Sequence, residues 1–197
     1  IMPKKRLEDI LAAFARLRAS FPDLILAIAG NVTQDLAYHA RLVALTRDLG
    51  CANELRWLGF LDEQAKPAAF ASAQCFVHAS ESEGMALAIL EAMSAGLPVV
   101  ATQGCYMREA AAAGALLECA QGPDALADAI RRVLDDASLA AALGKAARAH
   151  AVRPSRTKAV WVVAGCKGQR GDQKQGLGKN AHLRRSCGLV GSILRPS

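Results

Sequence analysis

Over the first 150 residues, apolar positions alternate between two rhythms. Leu7, Ile10, Leu11, Phe14 and Leu17 recur at helical spacing and predict an amphipathic helix over 7–21, with Pro22 just past its end. Leu24–Gly30 (LILAIAG) is continuously apolar and ends in glycine, as a strand buried on both faces does. A helix over 35–49, stopped by Gly50, and a short strand at Glu54–Gly59 follow. The alternation then continues with a helix over 62–72, a strand at Gln74–Ala79, a helix over 84–95 ending at Gly96, and a strand at Leu97–Ala101. A short helix at Arg108–Ala113, a strand at Ala115–Cys119 and helices over 124–135 and 138–150 complete it. Strands alternating with helices of this length predict βαβ units. The expected fold class is α/β, a parallel sheet flanked by helices. No internal repeat is visible.

Composition agrees with that class. Residues of hydrophobic type make up 52% and aromatic ones only 5%, so the core must be largely Ala, Leu, Val and Ile. The net charge of +6 is unevenly spread: residues 1–150 carry −3 and residues 151–197 carry +9. Helical and strand periodicity stops after Val163, and Gly, Lys, Arg and Gln dominate 165–185. The division is therefore a folded domain at 1–150 and a basic, Gly-rich tail at 151–197. The tail is expected to be disordered or foreign to the fold, as after a reading-frame slip. A nucleic-acid-binding tail is the rival reading, but the folded part is mildly acidic and nucleic acid is not an expected partner. The six cysteines show no C-x-x-C pair, which gives no support to a zinc or iron–sulfur site. Cys75 and Cys119 read as small core residues. Neither a signal peptide nor a run of about 18 uncharged apolar residues is present, and a reduced, cytoplasmic setting is expected.

Chemistry concentrates in residues 80–102, SESEGMALAILEAMSAGLPVVAT. Ser80 and Ser82 offer N-cap hydroxyls for the helix that follows, and Gly84 lets the backbone approach a ligand. The amides of Met85, Ala86 and Leu87, as a first helical turn, lack intrahelical partners and suit a phosphate. This lies at the C-terminal edge of a parallel sheet, where α/β folds bind ligands. Glu83 sits at the helix entrance, and Glu91 lies eight residues on in apolar surroundings. That is about 12 Å along a helix, a spacing at which two carboxylates hold separate hydroxyl groups of one elongated ligand. Read singly, Glu83 complements a helix dipole and Glu91 is an exposed helix residue.

The string from Glu83 to Val100 resembles the Glu, seven residues, Glu motif of family-four (group 1) retaining glycosyltransferases. The resemblance runs over about residues 1–150. Pro22–Gly30, Leu55–Phe60 and Gln74–Ser80 look like further strands of the family's donor-binding domain, and Glu109 falls where the family often has another Glu. It implies the C-terminal Rossmann-like half of a GT-B fold, and transfer of a sugar from a UDP- or GDP-linked donor with retention of configuration. It also implies that Glu83 contacts the donor sugar, that Glu91 binds the ribose, and that Gly84 and the amides of Met85, Ala86 and Leu87 face the diphosphate. Met2–Arg6 resembles the family's basic loop, so that Lys5 would stabilise the departing diphosphate. No metal, cofactor or protein nucleophile is implied. The acceptor would be a saccharide, a lipid or a small molecule, with peripheral membrane association through a separate acceptor domain.

Departures accompany the resemblance. The family's Arg should immediately precede Ile1, and the first strand and the acceptor domain are also missing. The chain is therefore expected to be a truncated fragment, inactive alone, with two strand edges left unpaired. Asn31-Val32 replaces a second glycine after Gly30, and Met85-Ala86 replaces the commoner Phe-Gly. His78 replaces a small or apolar residue and reads more readily as a satisfied core histidine than as a catalyst. The alternatives are a nucleotide-sugar epimerase or phosphorylase of GT-B fold, and a catalytically inactive nucleotide-binding module.

Overall fold

The structure, a computed structural model, describes residues 1–151, and the expectations for the basic stretch lie outside them. Seven helices and five strands alternate: α1 (Leu7–Leu17), β1 (Leu26–Ala29), α2 (Leu36–Asp48), β2 (Leu55–Gly59), α3 (Ala65–Ser72), β3 (Phe76–His78), α4 (Leu87–Ser94), β4 (Val99–Thr102), α5 (Arg108–Ala112), β5 (Leu117–Cys119), α6 (Pro123–Asp135) and α7 (Ala137–Ala151). Every strand pairing is parallel, as the βαβ alternation predicts. Among the described residues the strands form two ladders, β1-β2 and β3-β4-β5, in which β1, β2, β3 and β5 each have one strand partner.

β4 is the interior strand of its ladder and all four of its residues are buried. Alternate side chains point to opposite faces. Val99 and Ala101 pack with Ile89 and Met93 of α4 and Ala147 of α7. Val100 faces the other way, onto Ile10, Ala13 and Leu17 of α1 and Leu126, Ile130 and Val133 of α6. The smaller ladder has its own cluster, in which Ile28 and Leu55 meet Leu11, Tyr38, Leu42 and Ile1. Helix α1 thus seals both ladders: Leu11 faces one core and Leu17 the other. Burial of these side chains, at about 1.5–3 kcal/mol each, is what holds the layers together.

Two contacts hold α7 against the C-terminal end of α4. Gly144 of α7 lies against Gly96 after α4, where an added Cβ would stand 2.4 Å from the Gly96 carbonyl oxygen. Arg148 donates to the Ala95 carbonyl at 2.8 Å and so satisfies the C-terminal end of α4. Among the described residues no helix is long and apolar enough to cross a membrane.

Candidate functional site

The loop from Ala79 to Ala86 leaves the C-terminal end of β3 and is clasped to the turn after β4. Fully buried Thr102 accepts from the Ser80 amide at 3.1 Å and donates to the Ser80 carbonyl at 3.3 Å. The Glu83 amide donates to the Gly104 carbonyl at 3.0 Å. Gly104 is required there, because a Cβ would stand 2.0 Å from the Ser80 carbonyl oxygen and 2.7 Å from that of Glu81.

This tether moves the start of the helix. The sequence predicts α4 from residue 84, but it begins at Leu87 with Ala86 as its N-cap residue and no side-chain cap. The Ser80 hydroxyl bonds instead to the Lys4 carbonyl at 3.1 Å and the Ser82 carbonyl at 3.3 Å, so the predicted capping by Ser80 and Ser82 is corrected. The Leu87 amide donates to the Met85 carbonyl at 3.1 Å and is not a free first-turn amide. Among the described residues the amides of Met85 and Ala86 donate to no acceptor. Glu83 therefore sits in a loop four residues ahead of the helix, and helical rise does not set its distance from Glu91. A Cβ at Gly84 would meet nothing within 4 Å, so the backbone there is open to an incoming group.

The N-terminal segment supplies the second wall. Pro3–Lys5 form a 3-10 turn closed by Arg6 in the left-handed region (φ 47°). The Glu81 amide donates to the Lys4 carbonyl at 2.9 Å, which pins this turn to the β3 loop. Arg6 grips Asp9 at 3.0 and 3.2 Å and reaches Glu81 at 3.4 Å. The result is an ion pair between the Lys5 ammonium and Glu83 Oε1, which brings together two predicted residues 78 positions apart.

A third group joins them. His78 Nε2 lies 3.1 Å from the same Glu83 Oε1. Burial pushes the Glu83 carboxyl up, but the hydrogen bonds from Lys5 and His78, helped by the nearby Ser80 hydroxyl, outweigh it and hold the group down at about 2. Burial lowers the His78 imidazole, against the pull of Glu83. Glu83 is thus a buried, ionised carboxylate, with 7% of its side chain exposed.

Glu91 has a different setting. It lies on α4 with 40% of its side chain exposed and accepts from Lys66 of α3 at 2.9 Å. Lys66 also reaches Glu63 at 3.0 Å, and these two carboxylates, Glu91 foremost, raise its ammonium. Sequence reasoning did not single out Lys66. Glu109 is exposed on α5 and takes no part in these contacts. Among the described residues no group of three or more His, Cys, Asp or Glu has the arrangement to hold a metal ion. Cys75 and Cys119 are partly buried free thiols held up at about 12 and about 11, chiefly by burial.

Parallel strands and flanking helices define an α/β domain, and its charged cluster stands at the strands' C-terminal edge, where such folds bind ligands. The chain belongs to the family described as glycosyl transferases group 1, whose model matches residues 1–150. It is 35% identical over 147 residues to a glycogen synthase of Mycobacterium tuberculosis (strain H37Rv), covering 74% of this chain and 34% of that one. It is 34% identical over 151 residues to a phosphatidyl-myo-inositol mannosyltransferase of Mycolicibacterium smegmatis, covering 75% and 36%. The chain thus spans about a third of the length of these curated relatives. Among solved structures, Anabaena Alr3699/HepE in complex with UDP superposes with a TM-score of 0.68 at 24% identity, over 76% of this chain and 41% of that one. The C-terminal domain of a group 1 glycosyl transferase, LpcC of Francisella tularensis, gives 0.68 at 21% identity over 76% and 78%. At these identities the likeness is one of fold: the chain has the fold of the C-terminal half of GT-B glycosyltransferases.

Proposed function

We propose that this domain binds the nucleoside diphosphate sugar of a retaining, metal-independent hexosyltransferase, the donor being UDP- or GDP-linked. The observation that carries the reading is the Lys5–Glu83 ion pair beside the Met85 and Ala86 amides, which donate to no acceptor among the described residues. In this reading the amides and the Lys5 ammonium receive the diphosphate. Lys5 stabilises the negative charge that grows on the leaving group. Glu83 takes hydroxyls of the donor sugar, and Glu91 takes the ribose hydroxyls. The fold neighbour that holds UDP supports a nucleotide on this kind of domain. Gly84 gives the diphosphate room. No side chain is assigned as a nucleophile. Acceptor choice, whether saccharide, lipid or small molecule, falls to a partner domain.

Calorimetric titration of the 197-residue chain with UDP and with GDP tests the reading. One of the two is expected to bind, equally well with and without EDTA, and Glu91→Ala is expected to weaken it about tenfold. Absence of binding by both nucleotides would sink the assignment. In a polypeptide that joins this domain to an acceptor domain, Glu83→Ala is expected to cut transfer about a hundredfold. Proton NMR of the product is expected to show the donor's anomeric configuration.

A further inference from the structure

We infer that His78 is a positioning residue: it holds the Glu83 carboxylate in place through Nε2–H···Oε1, so that Glu83 keeps its orientation when Lys5 turns to a bound phosphate. The inference rests on the nucleotide-sugar reading for its purpose and on geometry for its substance.

Glu83 Oε1 is shared by two groups from separate parts of the chain. Lys5 comes from the N-terminal 3-10 turn and His78 from the last position of β3. Neither contact falls on Oε2. The two differ in rigidity. Lys5 has a flexible four-carbon stem and 29% of its side chain exposed. His78 has 15% exposed and sits on a strand registered against Ala101 of β4. Its ring stacks on Phe76 at 6.2 Å with an interplanar angle of 20°, and its carbonyl accepts from Cys105 Sγ at 3.6 Å. Phe76 is in turn braced edge-on by Phe70 of α3.

An ammonium asked to neutralise a diphosphate cannot stay fully committed to a neighbouring carboxylate. Once Lys5 is drawn away, Glu83 would be a buried carboxylate missing a partner, free to rotate and costly to leave unpaired. A neutral imidazole that donates from Nε2 removes that problem without adding a charge that competes for the phosphate. Among the described residues the charged groups facing the imidazole are Glu83 and Lys5, and burial lowers the ring's affinity for a proton. This accounts for a histidine in a strand position where an apolar residue would pack more cheaply.

Nitrogen-15 NMR of the imidazoles and carbon-13 NMR of the carboxylates in the 197-residue chain test the inference. Expected are the Nε2–H tautomer for His78 at pH 7, and a rise of about one pH unit in the Glu83 titration midpoint in His78→Phe. His78→Gln, which restores a side-chain donor, is expected to return the midpoint towards its original value. His78→Leu serves if the larger ring does not pack. With saturating UDP or GDP, whichever binds, the His78 signal is expected to stay coupled to Glu83, as judged by its response to Glu83→Gln. An Nδ1–H tautomer, an unchanged midpoint in His78→Phe and His78→Leu, or loss of coupling on nucleotide binding would each overturn it. If neither nucleotide binds, the nucleotide-sugar reading fails and the holding role falls with it, while the ligand-free spectra still decide whether His78 and Glu83 are paired.

Discussion

The two carboxylates of the Glu83–Glu91 motif look equivalent in sequence and are opposites in structure. Glu83 is buried, carried on a loop tied to the turn after β4, and gripped by groups from two distant segments. Glu91 stands on a helix, 40% exposed, and shares one flexible lysine with Glu63. One end of the motif is pre-organised and the other adjusts. A preformed end suits a position where chemistry demands fixed geometry. An adjustable end suits recognition, where an exposed salt bridge is cheaply exchanged for a ligand's hydroxyls.

Four changes would break or sharpen this contrast. The largest effect is expected from Gly104→Ala, whose Cβ would overlap the Ser80 carbonyl oxygen at 2.0 Å, a backbone atom with little room to move. A loss of about 4 kcal/mol or more in urea denaturation is expected, and a wild-type midpoint would refute the clasp. Next comes acid. Glu83 is held at about 2, below its ordinary 4.5, so its contribution is complete above that ordinary value and is lost as pH falls towards 2. The difference is worth about 3 kcal/mol. Denaturation at pH 6 and pH 3 should show about two thirds of this loss in the wild type, and a smaller one in Glu83→Gln. Equal losses in both would place the acid sensitivity elsewhere.

Glu91→Ala comes third. It should leave the denaturation midpoint where it was while weakening UDP or GDP about tenfold by titration. A large loss of stability would mean that the exposed end is structural after all. Lys66→Ala should have the smallest effect, changing nucleotide affinity by less than about twofold. A tenfold loss would make Lys66 part of the binding surface and not merely a partner of Glu91.

The alternation of strands and helices was legible because each element carries its own period, but the strand expected to be buried on both faces, Leu24–Gly30, leaves Ala27 and Ala29 exposed in β1, and the doubly buried strand is β4. Which strands are neighbours was not legible, because pairing between segments leaves no local mark. The start of α4 was misread for a related reason. Glu83–Ala86 has the composition of a helix, but the Glu83 amide is taken by Gly104, twenty-one positions away. Lys5 was singled out only through resemblance, whereas Glu83 also drew notice by its place just after an apolar strand. His78 did leave a trace, a polar ring within an apolar strand. Lys66 left none, since a lysine on an amphipathic helix looks the same whether or not it faces a carboxylate from another element.

The overlap that forbids a side chain at Gly104 also bears on anyone who would transplant this site. The loop Ala79–Ala86 has its shape only against the turn at Thr102–Cys105, through Thr102, Gly104 and the Ser80 carbonyl. Grafted alone onto another parallel sheet, the contiguous Glu-to-Glu string would arrive without its mould. The smallest portable unit is a pair of segments from neighbouring strands, together with the few N-terminal residues that lie across them.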